Sequence, residues 1–576
     1  MKTTKLFSLL VLAGLLVASA PAFGAATILI VNTDGPGEGF NDPTPAAPVG
    51  GNPGTTVGQQ RLNAFQYAAG VWGSILDSPV TIYIQSAFNP LTCTPTAATL
   101  GSAGTLQVFA NFPGREYDNT WYPVALANKL AGTDLAPGAN GTDADDIVAQ
   151  FNSQLNGNPA CLGGIGWYYG FDNNHGVNID LVTVLLHEFG HGLGFATFVS
   201  KTTGANCCAP GPFLPDVYGT YTFEDTTGKH FTQMTNAERQ AAILHTNHLV
   251  WDGINVTATV PSTLAFGAPL LTVNAPAGLG PDRVGLAQFG PALTAPGVTG
   301  VLAQAIDPIE PPPPAPGGTA FDGCSPITNA AAIAGKIAVV DRGFCGFVVK
   351  AKNAQNAGAI AVVVVDNVAG SPPAGMAGVD PTITIPSVRV SLPDGNALKT
   401  AMGSGTVNVT LGLNLTVRAG ATTAGFALLN APVPVVTGSS TSHWDPIAFP
   451  NLLMEPAINA DLNHVANDVD LTLEEMVDIG WFSDGDGVPD GRDQCIGSST
   501  SATVVIDGCN SGVPNTTFAT GCRITDMIDD CAAGAGNHGG FVSCVSHLTN
   551  DLKKAGVISG SQKGAIQSCA GGANIP

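Results

Sequence analysis

Basic residues are scarce in this sequence of 576 residues, which has 21 lysines and arginines against 43 aspartates and glutamates. The formal net charge is therefore −22, and no basic patch is available to neutralise the phosphates of nucleic acid. Charged residues make up only 11% of the chain, and its 72 glycines and 42 prolines predict more loops and strands than long helices. We expect several domains and no nucleic-acid partner.

Long apolar runs are also scarce, and the one near the start predicts export rather than a membrane anchor. Lys2 and Lys5 precede the apolar residues 6–18, and Ala22-Phe23-Gly24 offers small residues for cleavage. This order is that of a secretory signal peptide over residues 1–24, too short for a stable transmembrane span. We expect a secreted, extracellular protein without stable membrane insertion, the alternative being a periplasmic or cell-surface location. The sequence does not indicate an oligomeric state.

The 12 cysteines favour disulfides in an oxidising compartment. They form three groups along the chain, and the sequence does not choose among the pairings of the last group. The groups are Cys93, Cys161, Cys207 and Cys208; Cys324 and Cys345; and Cys495, Cys509, Cys522, Cys531, Cys544 and Cys569.

Histidine is rare, with ten in the chain, and two of them stand in His187-Glu188-Phe189-Gly190-His191 after the apolar residues 181–186. A helix that begins after Asp180 as its N-cap places His187 and His191 one turn apart on the same face. Two neutral imidazoles at this spacing can hold Zn²⁺, and Glu188 can accept a proton from the attacking water. Glycines at 190, 192 and 194 indicate tight packing and an early helix end. The motif predicts a catalytic zinc centre.

The third zinc ligand is not at the expected spacing. The pattern His-Glu-x-x-His-x-x-Gly-x-x-His fits Gly194 but ends on Thr197, and threonine is not a usual zinc ligand. The candidates further along the chain are His443, in Ser442-His443-Trp444-Asp445, and Asp216. The remaining histidines stand in polar or loop-like sequence without a motif, and we expect most of them at the surface: His175, His230, His245, His248, His464, His538 and His547.

The surroundings of His443 resemble the leishmanolysin-like metzincins. The Ser-His-Trp motif is followed by residues 451–456, Asn-Leu-Leu-Met-Glu-Pro, and by residues 471–481, which end in Asp-Ile-Gly-Trp. In that family a long insertion separates the second histidine from the third ligand. The resemblance implies that His443 is the third ligand, that Met454 is the Met-turn residue beneath the metal, and that the enzyme is a peptidase.

The segment between the two histidine motifs resembles a protease-associated (PA) domain. Residues 336–367 predict a β-branched strand, an Ala-rich helix and a second apolar strand, and they contain Asp341-Arg342-Gly343 and Asn353-Ala354-Gln355. The resemblance implies a non-catalytic module that shapes substrate access, with Cys324 and Cys345 placed where such domains can be bridged.

The N-terminal part of the catalytic unit has the order of elements found in a metzincin upper subdomain. We predict a strand at 27–31, a helix at 57–76 and a strand at 80–86 before the zinc helix. No cysteine lies between the signal peptide and Cys93, so no propeptide that blocks zinc through a thiolate is visible. Leishmanolysin-like enzymes often carry such a propeptide, and the route of activation stays open.

A calcium site is predicted where the chain changes character after Trp481. Asp484, Asp486, Asp490 and Asp493 offer the oxygen ligands that Ca²⁺ prefers, in a pattern that resembles one thrombospondin type 3 repeat. The alternative is an acidic linker. A Cys-rich module of unassigned function follows, with helices predicted at 525–532 and 541–555.

These observations predict an α+β protein in which a small α/β PA domain interrupts a metzincin-type zinc peptidase domain. We expect the catalytic domain at 25–265 and 416–482, the insertion at 266–415, the calcium repeat at 483–495 and the Cys-rich module at 496–576. The expected function is a zinc-dependent endopeptidase that acts on protein or peptide substrates, with Zn²⁺ and also Ca²⁺ bound. The alternative is a non-catalytic extracellular binding or adhesion protein that retains a peptidase fold.

Overall fold

The computed structural model describes residues 25–137, 146–208, 213–280, 282–312, 317–458, 462, 469–483 and 487–575. The predicted signal peptide and two of the predicted calcium ligands, Asp484 and Asp486, lie outside these ranges. The described chain is a mixed α+β structure with separate hydrophobic cores for the histidine-motif region, the insertion and the tail. Among the described residues, no helix combines the length and the apolar character that a bilayer crossing requires.

In the histidine-motif region, the described residues form six helices and eleven strands. The strand, helix and strand that the sequence predicts at its start are present, within a few residues of the expected bounds. The helices are α1 Val57–Ile75, α2 Val124–Ala131, α3 Leu181–Leu193, α4 Val217–Tyr221, α5 Asn236–Ala242 and α6 Ile254–Thr263. The strands are β1 Ile28–Asn32, β2 Ile82–Asn89, β3 Gly101–Thr105, β4 Val108–Phe109, β5 Tyr122–Pro123, β6 Ile147–Asn152, β7 Trp167–Tyr168, β8 Ile179–Asp180, β9 Thr222–Glu224, β10 Lys229–His230 and β11 Leu249–Trp251.

The main sheet of this region has the order β1-β2-β6-β3, with β3 antiparallel at one edge. Helices α1 and α3 share one apolar core with this sheet, because Phe65, Trp72 and Phe189 are fully buried there. The indole Nε1 of Trp72 donates to the carbonyl of Leu186 at 3.1 Å, which fixes α3 against α1. The edge strand β3 consequently lies beside α3.

The insertion is a second sheet of eight strands with the order β13-β12-β19-β15-β16-β17-β18-β14. Its strands are β12 Phe266–Ala275, β13 Asp282–Arg283, β14 Gly285–Leu286, β15 Val298–Gln304, β16 Ile337–Asp341, β17 Ala361–Val365, β18 Ser387–Val390 and β19 Asn408–Arg418. Its helices are α7 Ala330–Ile333, α8 Phe347–Asn356 and α9 Leu392–Ser404.

The two ends of the insertion meet in this sheet. Phe266 of β12 pairs with Arg418 of β19, so the chain enters and leaves the module at neighbouring positions. Strand β19 runs beyond the expected boundary at 415, because its ladder with β12 continues to Arg418. The returning chain then supplies β20 Ala427–Leu428, which pairs with β11, and α10 Leu471–Asp478. The histidine-motif region therefore continues on the far side of the insertion.

The tail forms its own small core from a hairpin and three helices. These are β21 Thr503–Ile506, β22 Cys509–Pro514, α11 Ile524–Ala533, α12 His538–Lys554 and α13 Gly560–Gly572. The sequence predicted α11 and α12 but neither the hairpin nor α13, whose Gly-rich and Ala-rich composition gives a weak helical pattern. The cysteines pair as Cys93–Cys161, Cys207–Cys208, Cys324–Cys345, Cys495–Cys522, Cys509–Cys569 and Cys531–Cys544.

Candidate metal centre

The helix that carries the histidine motif, α3, begins and ends where its capping residues require. The side chain of Asp180 accepts a hydrogen bond from the Thr183 amide at 3.0 Å, as expected of an N-cap. Gly194 ends the helix with φ of +146°, a conformation that side chains disfavour. A Cβ on Gly192 would lie 2.4 Å from Ile147 of the sheet. The glycines thus allow the helix to pack closely and to end just after His191.

Three histidines meet at one point although His443 is far from α3 in sequence. The Nε2 atom of His191 lies 3.2 Å from Nε2 of His187 and 3.2 Å from Nε2 of His443. His187 and His443 are buried, with 7% and 5% of their surface exposed, and His191 is partly buried. The arrangement brings three imidazole donors into one pocket.

Backbone carbonyls fix the orientation of all three rings. Nδ1 of His187 lies 2.7 Å from the carbonyl oxygen of Leu453. Nδ1 of His191 lies 2.8 Å from that of Phe195, and Nδ1 of His443 lies 2.9 Å from that of Ser439. A carbonyl can only accept, so each Nδ1 carries the proton and each Nε2 presents a lone pair. Three lone pairs converge at the centre, which is the arrangement of a metal-ligand set.

The residues of this pocket fit a zinc ion. Ligand nitrogens about 2.0–2.1 Å from a tetrahedral ion lie about 3.3 Å from each other, close to the 3.2 Å that separates these Nε2 atoms. Burial lowers the pKa of His187 to about 4 and that of His191 to about 3, and it lowers the pKa of His443 well below its usual value. Each imidazole is therefore neutral at physiological pH, as a metal ligand must be.

Glu188 follows His187 on α3, and its side chain lies at the edge strand β3 of the sheet. Its side chain is buried and packs near Gly101 of β3, where a Cβ would lie 3.1 Å from the Glu188 Cγ. Burial raises the pKa of Glu188 to about 8, against a hydrogen bond from the Ala103 backbone that lowers it. A cation bound nearby would favour the ionised form. The carboxylate is placed to exchange a proton in this pocket.

Met454 packs against α3, and its expected position beneath the metal stays a prediction. It is fully buried, and a Cβ on Gly190 of α3 would lie 2.9 Å from its sulfur. The preceding residue, Leu453, holds the ring of His187, and the carbonyl of Met454 accepts a hydrogen bond from the Trp444 amide at 2.9 Å. This turn therefore links α3 to the segment of His443.

Asp216, the alternative third ligand, is not brought into the histidine cluster. Its carboxylate accepts hydrogen bonds from Thr197 Oγ1 at 2.9 Å, from the Phe198 amide at 2.7 Å and from the Gly219 amide at 2.6 Å. It also caps α4. These contacts give Asp216 a structural position, and they engage Thr197, the residue at the spacing where a third ligand is usual.

A cavity of about 490 Å³ opens near the end of β3. It lies between the end of β3 and the segment that follows α3, and apolar side chains and backbone dominate its walls. The lining residues are Gly104, Thr105, Leu106, Gln107, Val108, Ala196, Phe198, Cys207 and Cys208. No carboxylate is among these described residues. The cavity can accept an apolar group.

The predicted calcium segment is only partly described. Asp490 and Asp493 are buried, and Glu116 lies against Asp490, whose amide donates to Glu116 Oε1 at 3.3 Å. Burial raises the pKa of Glu116 to about 7, against hydrogen bonds from Asp490 that lower it. No sequence pattern indicates Glu116, which stands far from the aspartates along the chain. Calcium binding by the four aspartates stays a prediction.

Comparison with known proteins defines one domain. Residues 298–398 match the family model described as PA domain. This match confirms the predicted PA domain within the insertion, which the structure shows as the parallel core β15-β16-β17-β18 with its helices.

The curated relatives share only short stretches with this chain. The minor extracellular protease Vpr of Bacillus subtilis is 38% identical over 95 residues, which are 16% of this chain and 11% of that protein. The probable lipoprotein aminopeptidase LpqL of Mycobacterium tuberculosis is 31% identical over 160 residues, or 27% and 29%. The ER degradation-enhancing alpha-mannosidase-like protein 3 of Xenopus laevis is 45% identical over 89 residues, or 15% and 8%. The chain thus spans less than a third of each relative, and their names describe different activities.

Solved structures match at low similarity. An aminopeptidase from Aneurinibacillus sp. strain AM-1 aligns with a TM-score of 0.20 and 19% identity, over 28% of this chain and 37% of that one. The zinc aminopeptidase BSAP from Bacillus subtilis aligns with a TM-score of 0.19 and 18% identity, over 34% and 42%. The family model and the structure together describe an α+β protein with a PA domain, in which three histidines meet at one site on and beside the helix that also carries the buried Glu188.

Proposed function

We propose that this protein is a secreted zinc-dependent endopeptidase of metzincin type. The observation that carries the proposal is the convergence of three Nε2 lone pairs, from His187, His191 and His443. The helix that supplies two of them also carries Glu188. The curated relatives support hydrolysis of peptides, because the printed names of several are those of proteases or aminopeptidases. The extracellular location printed for one of them, together with the disulfides, supports secretion.

The three histidines would hold the metal. Zn²⁺ supplies Lewis-acid chemistry there, lowering the pKa of water and polarising a carbonyl oxygen. Glu188 accepts a proton from the attacking water at its carboxylate and then donates it to the leaving amine. The carbonyls of Leu453, Phe195 and Ser439 keep the three rings in the tautomer that leaves Nε2 free.

The edge strand β3 offers a place for an extended substrate. Among the described residues this strand pairs only with β6, so its other edge can bind a peptide backbone by strand addition. The Ala103 amide of this strand bonds to Glu188, which places the open edge beside the proposed catalytic base. The cavity at the end of β3 would accept an apolar side chain. A peptide bond within a chain, rather than at its amino terminus, fits this open arrangement.

Two kinds of substrate distinguish the proposed endopeptidase from an aminopeptidase, the activity that the names of two relatives indicate. An endopeptidase cleaves casein and an N-acetylated peptide, whereas an aminopeptidase requires a free amino terminus. We expect cleavage of the acetylated peptide and no release of p-nitroaniline from leucine p-nitroanilide. The reverse result would assign aminopeptidase activity.

The catalytic step is tested with Glu188→Gln. Loss of a general base lowers kcat by about 10²–10⁴-fold, while the three histidines should still bind one zinc. The matched control is Glu238→Gln, which changes an exposed glutamate on α5 and should leave kcat unchanged. A zinc-loaded wild type that cleaves neither substrate class would instead favour a non-catalytic binding protein.

A further inference from the structure

A second group of metal-binding side chains lies outside the centre described above. Glu224 ends β9, and His245 and His248 lie in the loop that leads into β11. One ligand atom from each of the three lies within 4.8 Å of the others. The sequence shows no motif here, because the glutamate and the histidines are brought together only by the pairing of β9 with β11.

The backbone holds this group in place. Glu224 pairs with Leu249 in the antiparallel ladder, and the Asp225 amide donates to the His248 carbonyl at 3.0 Å. Both histidines are therefore fixed at their main chain beside the carboxylate. Their imidazole rings are tilted against each other, with centroids 4.4 Å apart and planes inclined by 39°.

Each histidine contacts a carboxylate through Nδ1. The distance from His245 Nδ1 to Glu224 Oε1 is 2.7 Å, and that from His248 Nδ1 to Asp225 Oδ1 is also 2.7 Å. The Asp225 carboxylate, which accepts from His248 Nδ1, leaves Nε2 of that ring free to ligate and fixes the ring orientation, as carboxylates do behind metal-bound histidines. His245 Nδ1 and Glu224 Oε1 can instead ligate one ion together, since the 2.7 Å between them is short enough for two ligands of one ion. Within the described chain, neither carboxylate has a lysine or arginine partner in an ion pair.

Hydrogen bonds hold the Glu224 carboxylate in place. It accepts from Thr226 Oγ1 at 2.6 Å and from the Thr227 amide at 2.8 Å. The Glu224 side chain is 2% exposed, whereas those of His245 and His248 are 44% and 41% exposed. A buried anion thus faces two imidazoles that solvent can reach, and a divalent cation entering from solvent would compensate the charge.

We propose that Glu224, His245 and His248 bind a second zinc ion, with Asp225 orienting the ring of His248. Two imidazoles and one carboxylate are ligands that zinc commonly takes in proteins. Ligand atoms on one zinc ion are at most about 4.2 Å apart, so the half-exposed rings need only a small rotation from the observed positions. The remaining coordination position faces solvent.

This ion has a structural role, because the same loop anchors the insertion. Asn247, between the two histidines, accepts a hydrogen bond from Arg283 Nη1 of β13 at 2.7 Å. Thr246 Oγ1 donates to the Ala431 carbonyl at 2.7 Å, on the returning chain before His443. An ion that fixes this loop also fixes the contacts between the catalytic region and the insertion.

The test measures zinc stoichiometry on the full chain. The protein is stripped with a chelator and dialysed against micromolar free Zn²⁺, and bound zinc is measured by mass spectrometry. We expect two zinc ions per wild-type chain, one in His245→Ala/His248→Ala, and one in His187→Ala/His191→Ala. The last variant should still gain thermal stability with Zn²⁺, and the gain should disappear when all four substitutions are combined.

The matched control is His230→Ala. His230 Nε2 also contacts a carboxylate, Asp252 Oδ2 at 2.7 Å, but no second histidine lies in that pair. This variant should bind two zinc ions. If His245→Ala/His248→Ala fails to fold, Glu224→Gln replaces it, since glutamine keeps the side-chain shape and removes the anionic ligand. One zinc ion in the wild type, or two in either cluster variant, would overturn the proposal. Neither result depends on peptidase activity.

Discussion

Arg283 of the insertion forms an ion pair with Asp445, in the segment that directly follows His443. Arg283 Nη1 lies 2.9 Å from Asp445 Oδ2, and Nη2 contacts Oδ1, so the pair is bidentate. Asp445 is fully buried and the Arg283 side chain is 11% exposed. The insertion therefore braces the chain that positions the proposed third ligand.

We predict that Arg283→Ala destabilises the protein and weakens zinc binding at the centre. Removing one partner leaves a buried charge unpaired, at a cost of about 3–5 kcal/mol. Urea unfolding and competitive zinc titration measure the two effects. Arg283→Lys should recover only part of the loss, because an ammonium cannot replace the bidentate contact. Arg418→Ala, which changes another arginine of the same module, is the control, and an equal loss of zinc affinity there would contradict the role of Arg283.

The third ligand is tested by His443→Ala. We expect the folded variant to lose zinc from the centre and to lose proteolysis, since two histidines alone hold zinc weakly. Metal analysis and casein hydrolysis measure the result. Asp216→Asn should retain zinc, because the Asp216 carboxylate binds Thr197 and two backbone amides rather than the cluster. Zinc loss in Asp216→Asn with zinc retained in His443→Ala would favour the alternative ligand.

A pH dependence of stability is expected from Glu475 on α10. The side chain is fully buried, neither carboxylate oxygen accepts a hydrogen bond from the described residues, and burial beside Asp478 raises its pKa well above 4.5. Above about pH 4.5 the folded state keeps the proton of Glu475 while the unfolded state releases it. The contribution of Glu475 to the free energy of unfolding is therefore complete below that pH and is lost as the pH rises toward the pKa of the folded state. Chemical unfolding between pH 5 and 8 measures the slope.

Replacement by Glu475→Gln should reduce that slope by up to about 1.4 kcal/mol per pH unit and should raise stability at pH 8. The neighbouring substitution Glu474→Gln is the control on the same helix. An unchanged slope in Glu475→Gln would show that the carboxyl is ionised, or is solvated, in the folded protein.

Replacing the insertion with a short linker tests its role in substrate selection. Phe266 and Arg418 pair at the module boundary, so a few residues can close the gap. Deletion also removes Arg283, and we therefore predict that it requires Asp445→Asn to keep the centre intact. The combined variant should cleave small peptides at the wild-type rate but cleave folded proteins differently. Identical kinetics on both substrate classes would remove a role in selection.

Local signals were sufficient to predict α3 from the sequence. Asp180, the apolar residues before His187 and the glycines around His191 all act within one helix, and the structure places them accordingly. His443 is separated from His191 by 252 residues, and only a family resemblance pointed to it. No sequence pattern predicts the group of Glu224, His245 and His248, because only the pairing of β9 with β11 brings these residues together. Glu116 was missed for the same physical reason: long-range contacts leave no local pattern.

Because backbone carbonyls hold the three imidazoles, only some kinds of mutation can disturb the geometry of the centre. These carbonyls belong to Leu453, Phe195 and Ser439, on three separate stretches of backbone. Truncating any of these three side chains leaves its carbonyl in place, so single substitutions there cannot delete a supporting contact. Only a displacement of the main chain can do so. Tolerance to mutation around the centre and sensitivity to loop insertions or deletions should therefore coexist in the same segments.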